Sequence, residues 1–306
     1  MRLPWQAASV KTASIYGSNN DIYSAYVSDV LNITDKLLVS AGLRLDHFVN
    51  KSIYNPEEDT STASYRQTSL SPRLGIVYKV VPDKVSIFGN YQNGFTNQTG
   101  TDYNNRAFKP EQANQWEAGI KAGVFNNRLS GTISYYNIQV TDVVRSDPNH
   151  YNFSIQDGTQ LSKGIEAEII ASPWAGLQVV AGYAYNNSKY TKADSTVQGL
   201  RPVEAGPANT FNTWVHYHFT RTCFKGLGLG FGTNYTGSSF AVNTKPDGQV
   251  NLPHYTVLNA AISYEQPRFR MILKFNNITN KHYWIGWNAI AAQMPFQFLG
   301  SIAYKF

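Results

Sequence analysis

The sequence predicts an all-β fold, an antiparallel transmembrane β-barrel, and three observations carry that expectation. Apolar residues recur at period two in many successive segments, the mark of strands with two unlike faces. Tyr, Phe and Trp number 20, 16 and 6, together 14% of 306 residues, which suits the aromatic girdles of a membrane barrel. Short turns alternate with long polar loops, as in outer-membrane barrels with turns on the periplasmic side and loops outside. No run approaches the ~18 apolar residues of a membrane helix. A barrel needs none, because neighbouring strands satisfy one another's backbone groups.

Thirteen strands are predicted, approximately 21–32, 37–51, 69–79, 85–95, 114–124, 129–143, 157–171, 177–189, 208–219, 227–238, 254–264, 269–278 and 294–306. The second sets Leu37, Val39, Ala41, Leu43 and Leu45 against Ser40, Gly42, Arg44 and Asp46. In the fifth, Trp116, Ala118, Ile120, Ala122 and Val124 oppose Gln115, Glu117, Gly119 and Lys121. The seventh opposes Ile165, Ala167, Ile169 and Ala171 to Gly164, Glu166, Glu168 and Ile170. The tenth opposes Leu227, Leu229, Phe231, Thr233 and Tyr235 to Gly228, Gly230, Gly232 and Asn234. Short turns fall near Thr34–Lys36, Val81–Asp83, Phe125–Asn127, Ser172–Gly176, Thr220–Gly226 and Glu265–Arg268, and long loops near 52–68, 96–113, 144–156, 190–207, 239–253 and 279–293.

Charge placement decides between a membrane and a soluble barrel. Arg44, Asp46, Arg73, Glu117, Lys121, Glu166, Glu168, Arg270 and Lys274 share the parity opposite the apolar residues. A Lys or Arg facing lipid at mid-depth costs ~2–4 kcal/mol, so the charged parity is read as the lumen. A soluble lipocalin-like barrel reverses this pattern and closes with about eight strands. Strand 21–32 is ambiguous in parity, and Asp29 is placed inward by assumption.

Other classes are excluded. The net charge of +6 is scattered, with no basic footprint for nucleic acid. Cys223 is the one cysteine, so there is no disulfide scaffold. No G-x-S-x-G, H-E-x-x-H or phosphate-binding Gly-rich loop is present, and no enzymatic activity is expected. His216 and His218 share a lumen face, but two histidines lack the further ligands of a metal site. Met1–Gln6 has no apolar h-region of a signal peptide. With an odd strand count where single-chain bacterial barrels have an even one, this leads to the expectation that the front of the protein is absent.

Several stretches resemble the siderophore branch of the TonB-dependent receptor family: Leu70–Tyr78, Tyr91–Phe95, Phe108–Gln112, Gln115–Lys121, Leu161–Glu168, Ala181–Tyr185, Asn276–Tyr283 and Tyr304–Phe306. Each is weak alone; in this order, over nearly the whole chain, they are specific. The resemblance implies that residues 1–306 are the C-terminal portion of a presumed 22-stranded barrel, without the plug domain, TonB box and signal peptide. It implies a multi-pass β-barrel in the outer membrane of a Gram-negative bacterium that takes up a ferric siderophore, the motifs leaning toward hydroxamate types such as ferrichrome. It implies TonB as a partner through the missing N-terminal part, and no cofactor, since iron is carried within the siderophore.

The resemblance also suggests sites. The lumen glutamates Glu117 and Glu166, with Glu168 one step along, match positions that grip plug arginines; the plainer reading is that they hydrate a wet lumen or pair with Lys121 and Arg73. Tyr304 and Phe306, with Ile302 on the same face, look like the signal read by the barrel-assembly machinery; otherwise they are an ordinary lipid-facing strand. Phe95, Tyr103, Tyr151, Tyr283, Trp284 and Trp287 could stack on the chelate, or simply belong to the interfacial girdle that meets outer-membrane lipid. The competing functions are a passive porin-like channel, which should lack the Gln115–Lys121 and Gly164–Glu168 motifs, and a truncated inactive barrel fragment.

Overall fold

The computed structural model describes residues 19–51, 54–55, 60–61, 64–221, 223–287 and 289–306; the Met1–Gln6 segment read above lies outside them. Thirteen strands form one antiparallel sheet. They are β1 (Asn19–Thr34), β2 (Leu37–Lys51), β3 (Tyr65–Val81), β4 (Val85–Thr96), β5 (Glu111–Val124), β6 (Leu129–Ser146) and β7 (Ser154–Ala171). The others are β8 (Leu177–Lys192), β9 (Asn209–His218), β10 (Leu227–Thr236), β11 (Tyr255–Gln266), β12 (Phe269–Asn276) and β13 (Gln297–Tyr304). They pair strictly in chain order, with β1 and β13 as the two edges. Every predicted strand is present. β3, β6 and β7 run past their predicted ends toward the loops, because backbone pairing continues where the apolar alternation stops. Small hairpins not foreseen in the sequence lie within the loops, Ser239–Thr244 with Gly248–Leu252 and Trp284–Ile285 with Ala291–Ala292.

The short turns follow from local chemistry. Thr34 Oγ1 accepts the Lys36 and Leu37 N–H groups at 3.2 and 3.0 Å, a side-chain turn of the Ser/Thr type. Asn126 and Asn127 hold φ of 57° and 61°, a region that asparagine tolerates better than most residues.

Register fixes the faces, since residues directly opposite on paired strands share one. Following the ladder from β2 to β12 puts Arg44, Asp46, Arg73, Glu117, Lys121, Glu166, Glu168, Arg270 and Lys274 on a single face. The other face carries Ile120, Ile133 and Ile169, left 48%, 51% and 50% exposed. Buried apolar side chains are few (Phe108, Tyr136, Ala241, Leu252 and Val257), so the strands' apolar surface points away from the protein. That is the inside-out pattern of a sheet solvated by lipid.

Asp29 corrects the assumption made for β1. It pairs with Ala41, and its neighbours Val27 and Leu31 pair with Leu43 and Val39, so it lies on the outward face. Pairing, not composition, decides the parity of a strand with apolar residues on both sides. The Asp29 carboxylate turns back on its own strand and accepts the Val30 N–H at 2.8 Å.

Glycines on the lumen face are covered by rings from adjacent strands. Tyr136 lies opposite Gly164, is buried, and its hydroxyl accepts Asn186 Nδ2 at 2.7 Å. Trp214 lies over both Gly230 and Gly232, and His216 lies over Gly228, which together account for the glycine alternation of β10. A methyl group at Gly164 would collide with the Tyr136 ring and the Tyr185 carbonyl. Gly164→Ala should therefore destabilise the folded chain by roughly 1–3 kcal/mol, read from its urea midpoint in detergent by tryptophan fluorescence.

Candidate functional site: the lumen wall and its outer mouth

The lumen wall gathers three carboxylates. Glu117 on β5 and Glu166 and Glu168 on β7 border one recess of about 400 Å³, with Thr132 and Ser134 of β6 between them. One strand intervenes, so the two sets stand roughly 10 Å apart across the sheet. Asn90 Nδ2 donates to Glu117 Oε2 at 3.1 Å. Among the described residues none of the three is ion-paired, so the plainer pairing with Lys121 or Arg73 is not made. The recess therefore presents three carboxylates on one wall with no cationic partner among the described residues.

A second recess, about 870 Å³, is lined by Arg44, Asp46, Arg73 and Tyr26. Asp46 is 2% exposed and is held by Arg44 Nε and Nη2 at 3.0 and 2.8 Å and by Ser24 Oγ at 2.6 Å. Phe95 borders this recess although its register parity is that of outward Tyr91. The β3–β4 ladder ends at Arg73–Gln92, and beyond that point the strand no longer screens one face from the other.

The loops close over the top by specific bonds. Gln67, 5% exposed, donates through Nε2 to the Gln98 and Phe108 carbonyls at 2.6 and 2.8 Å. Lys109 N–H donates to Gln156 Oε1 and Gln156 Nε2 to the Lys109 carbonyl, both at 2.7 Å. The Phe108–Gln112 motif is thus a loop anchor. Arg201 ties the next loop to the lumen wall, bonding Asn186 through its carbonyl and Oδ1, both at 2.9 Å, and the Gly206 and Pro207 carbonyls at 3.1 Å. Burial lowers its pKa from the ordinary value. Asn186 in turn bonds Tyr136 and Ser162. Nothing in the periodicity pointed to Gln67 or Arg201, because a loop docks through single side chains.

Apart from Phe95, the predicted ligand aromatics divide into two groups. Tyr103 stacks on His150 at 3.8 Å and meets Phe153 edge-on at 5.0 Å. His150 bonds Asp147 at 2.8 Å, and the Asn149 N–H, then His150, hold the Asp147 carboxyl below its usual value. Tyr151 stands 91% exposed beside them. The other group is six to eight strands away along the ladder. There Tyr283 stacks on Tyr255 at 4.1 Å, over a recess of about 430 Å³ lined by Asn234, Asn259, Asn276 and Gln297. Trp284 and Trp287 lie exposed on the same loop. The recess is framed by Asn277, 3% exposed, which bonds the Lys281 N–H and carbonyl at 2.8 and 2.9 Å. Tyr255, Asn234 and Asn259 were missed as site residues; their shared lumen parity was the available signal.

His216 and His218 share the lumen face as expected, opposite Gly230 and Gly228, and no group of three metal-ligating residues occurs among the described residues. Tyr304 and Phe306 meet at 5.3 Å, and Tyr304 shares the outward parity of Ile302 on the edge strand β13.

A family model described as TonB dependent receptor-like, beta-barrel matches residues 4–280. The chain is 30% identical over 256 residues to a ferrichrome outer membrane transporter/phage receptor of Escherichia coli K12, covering 81% of this chain and 33% of that protein. It is 24% identical over 269 residues to a metal-pseudopaline receptor of Pseudomonas aeruginosa, covering 86% and 37%. The chain therefore spans about a third of the length of these curated relatives. The crystal structure of the ferripyoverdine receptor of Pseudomonas aeruginosa superposes with a TM-score of 0.78 at 21% identity, covering 94% of this chain and 39% of that one; this similarity is one of fold.

Replacing Arg201 by Met should free the 193–208 loop while leaving the ladder intact. Losing charge-assisted bonds worth ~2 kcal/mol should speed protease cleavage in that loop about 30-fold, measured by limited proteolysis of the folded chain with the unfolding midpoint as control.

Proposed function

The chain belongs to the TonB-dependent receptor β-barrel family of the bacterial outer membrane, and we propose that it serves as the C-terminal barrel wall of a receptor that imports a ferric siderophore. The observation carrying this reading is the wall of unpaired lumen carboxylates, Glu117, Glu166 and Glu168. In a passive pore such a cluster would bias ion selectivity. In a transporter with a removable plug it gains a further role, because cationic side chains of the plug can be held there and let go when TonB pulls. In this proposal the plug, the TonB-binding segment and the remaining strands come from a preceding part of the protein. Iron travels inside its chelate, so the barrel contributes no metal ligand. The chelate enters by the outer mouth, where the Tyr255–Tyr283 stack and its amide-lined recess offer ring faces and hydrogen-bond donors and acceptors. The relatives named as ferrichrome and metal-pseudopaline receptors support a metal chelate as cargo.

In the whole receptor, Glu117→Gln together with Glu166→Gln should cut uptake of radiolabelled ferric hydroxamate at least ~10-fold, the scale of about 1.4 kcal/mol. Surface binding of the chelate should persist. Unchanged uptake would favour the passive channel. The Tyr304–Phe306 pair is proposed as the element read by the assembly machinery. Phe306→Ala should lower the fraction of receptor inserted in the outer membrane several-fold, followed by heat-modifiable mobility on gels; insertion equal to the parent would count against that role.

A further inference from the structure

The outward face carries two lysines just above its aromatic band, where nothing in the uptake reading uses them. Register sets Tyr135, Ile165 and Tyr185 in one row across β6, β7 and β8. The next row toward the loops is Asn137, Lys163 and Asn187, and the one after it Gln139, Leu161 and Lys189. Lys163 and Lys189 are thus diagonal neighbours on adjacent strands, with Cβ atoms ~7–8 Å apart or less. Both are exposed. Neither forms an ion pair among the described residues. The acid of this corner, Asp157, is already held by Arg145 and Lys192, each at 2.6 Å.

Height tells what such a pair meets. Lys163 stands eight residues above Ala171, the end of β7 at the periplasmic turn (171 − 163 = 8). At ~3.3 Å per residue and a tilt of ~40° this is roughly 20 Å, near the top of a ~25 Å apolar band. Long lysine stems carry their ammonium groups up from there into the headgroup layer. Like charges side by side repel unless an anion lies between them, and the two rows add three primary amides and no carboxylate. Directly below, Tyr135, Ile165 and Tyr185 supply apolar and ring surface for acyl chains.

We infer that Lys163 and Lys189, with Asn137 and Asn187, seat the phosphate of a lipid in the leaflet facing the loops. The occupant is a lipid because the site opens sideways into the bilayer above a strip of acyl-compatible side chains. The inference depends on the barrel's orientation in the membrane and not on which chelate it transports, so its failure leaves the uptake reading untouched.

Native mass spectrometry of the full receptor in detergent, titrated with diphosphoryl lipid A, tests it. At about 1 kcal/mol per lysine, K163Q/K189Q should weaken retention roughly 10- to 30-fold, while K163R/K189R should keep it. Dephosphorylated lipid A should bind the parent as weakly as diphosphoryl lipid A binds the Gln variant, and millimolar inorganic phosphate should not displace the lipid. Equal retention by the parent and the Gln variant, or by both lipids, overturns the proposal, as does displacement by free phosphate. Both substitutions are on exposed side chains, and unchanged heat-modifiable mobility verifies that each variant is folded.

Discussion

One unbroken antiparallel ladder governs this molecule. Inside a bilayer no water can satisfy a free N–H or C=O, so the backbone must pair strand to strand through the apolar layer. Once it does, the side-chain period of two is compulsory, and every residue in the layer is assigned to lipid or to lumen. The isoleucines of β5, β6 and β7 left half exposed and the carboxylates of β5 and β7 on the opposite face are two consequences of that single constraint.

The same constraint shapes the chemistry of the interior. A lumen wall can carry charge because it faces an aqueous bore, and the wall does so asymmetrically. Near Asp46 the carboxylate is internally paired, held by Arg44 and Ser24 and almost wholly covered. Around Glu117 and Glu166 no ion pair is made among the described residues, and on the proposed reading that imbalance makes the region a docking seat where the Asp46 corner is a fixed joint. Glycines on this face admit covering rings, Tyr136 over Gly164 and Trp214 over Gly230 and Gly232, which stiffen the wall without filling the bore.

Above the membrane the rules change. Loops have no period, and their order comes from individual polar side chains aimed at backbone groups: Gln67 on the Gln98 and Phe108 carbonyls, Arg201 on Asn186 and its own loop, Asn277 on Lys281. The wall and the mouth are therefore coupled through few points, and the Arg201–Asn186–Tyr136 chain of hydrogen bonds connects a loop to the lumen lining directly.

The sequence by itself determined the strand count, the chain-order pairing, the inside-out faces and the lumen placement of the three glutamates, because all of these follow from a period-two pattern repeated under one solvent constraint. It also located the turns, whose Thr, Asn and Gly residues carry their own local geometry. Only the tertiary structure decided what depends on neighbours distant in sequence. Pairing with Ala41 turned Asp29 outward, where composition had left its parity open. The stack of Tyr283 on Tyr255, the division of the loop aromatics into two separated groups and the docking of Arg201 rest on contacts that no periodicity encodes, since loops fold by specific partners and strands by repetition.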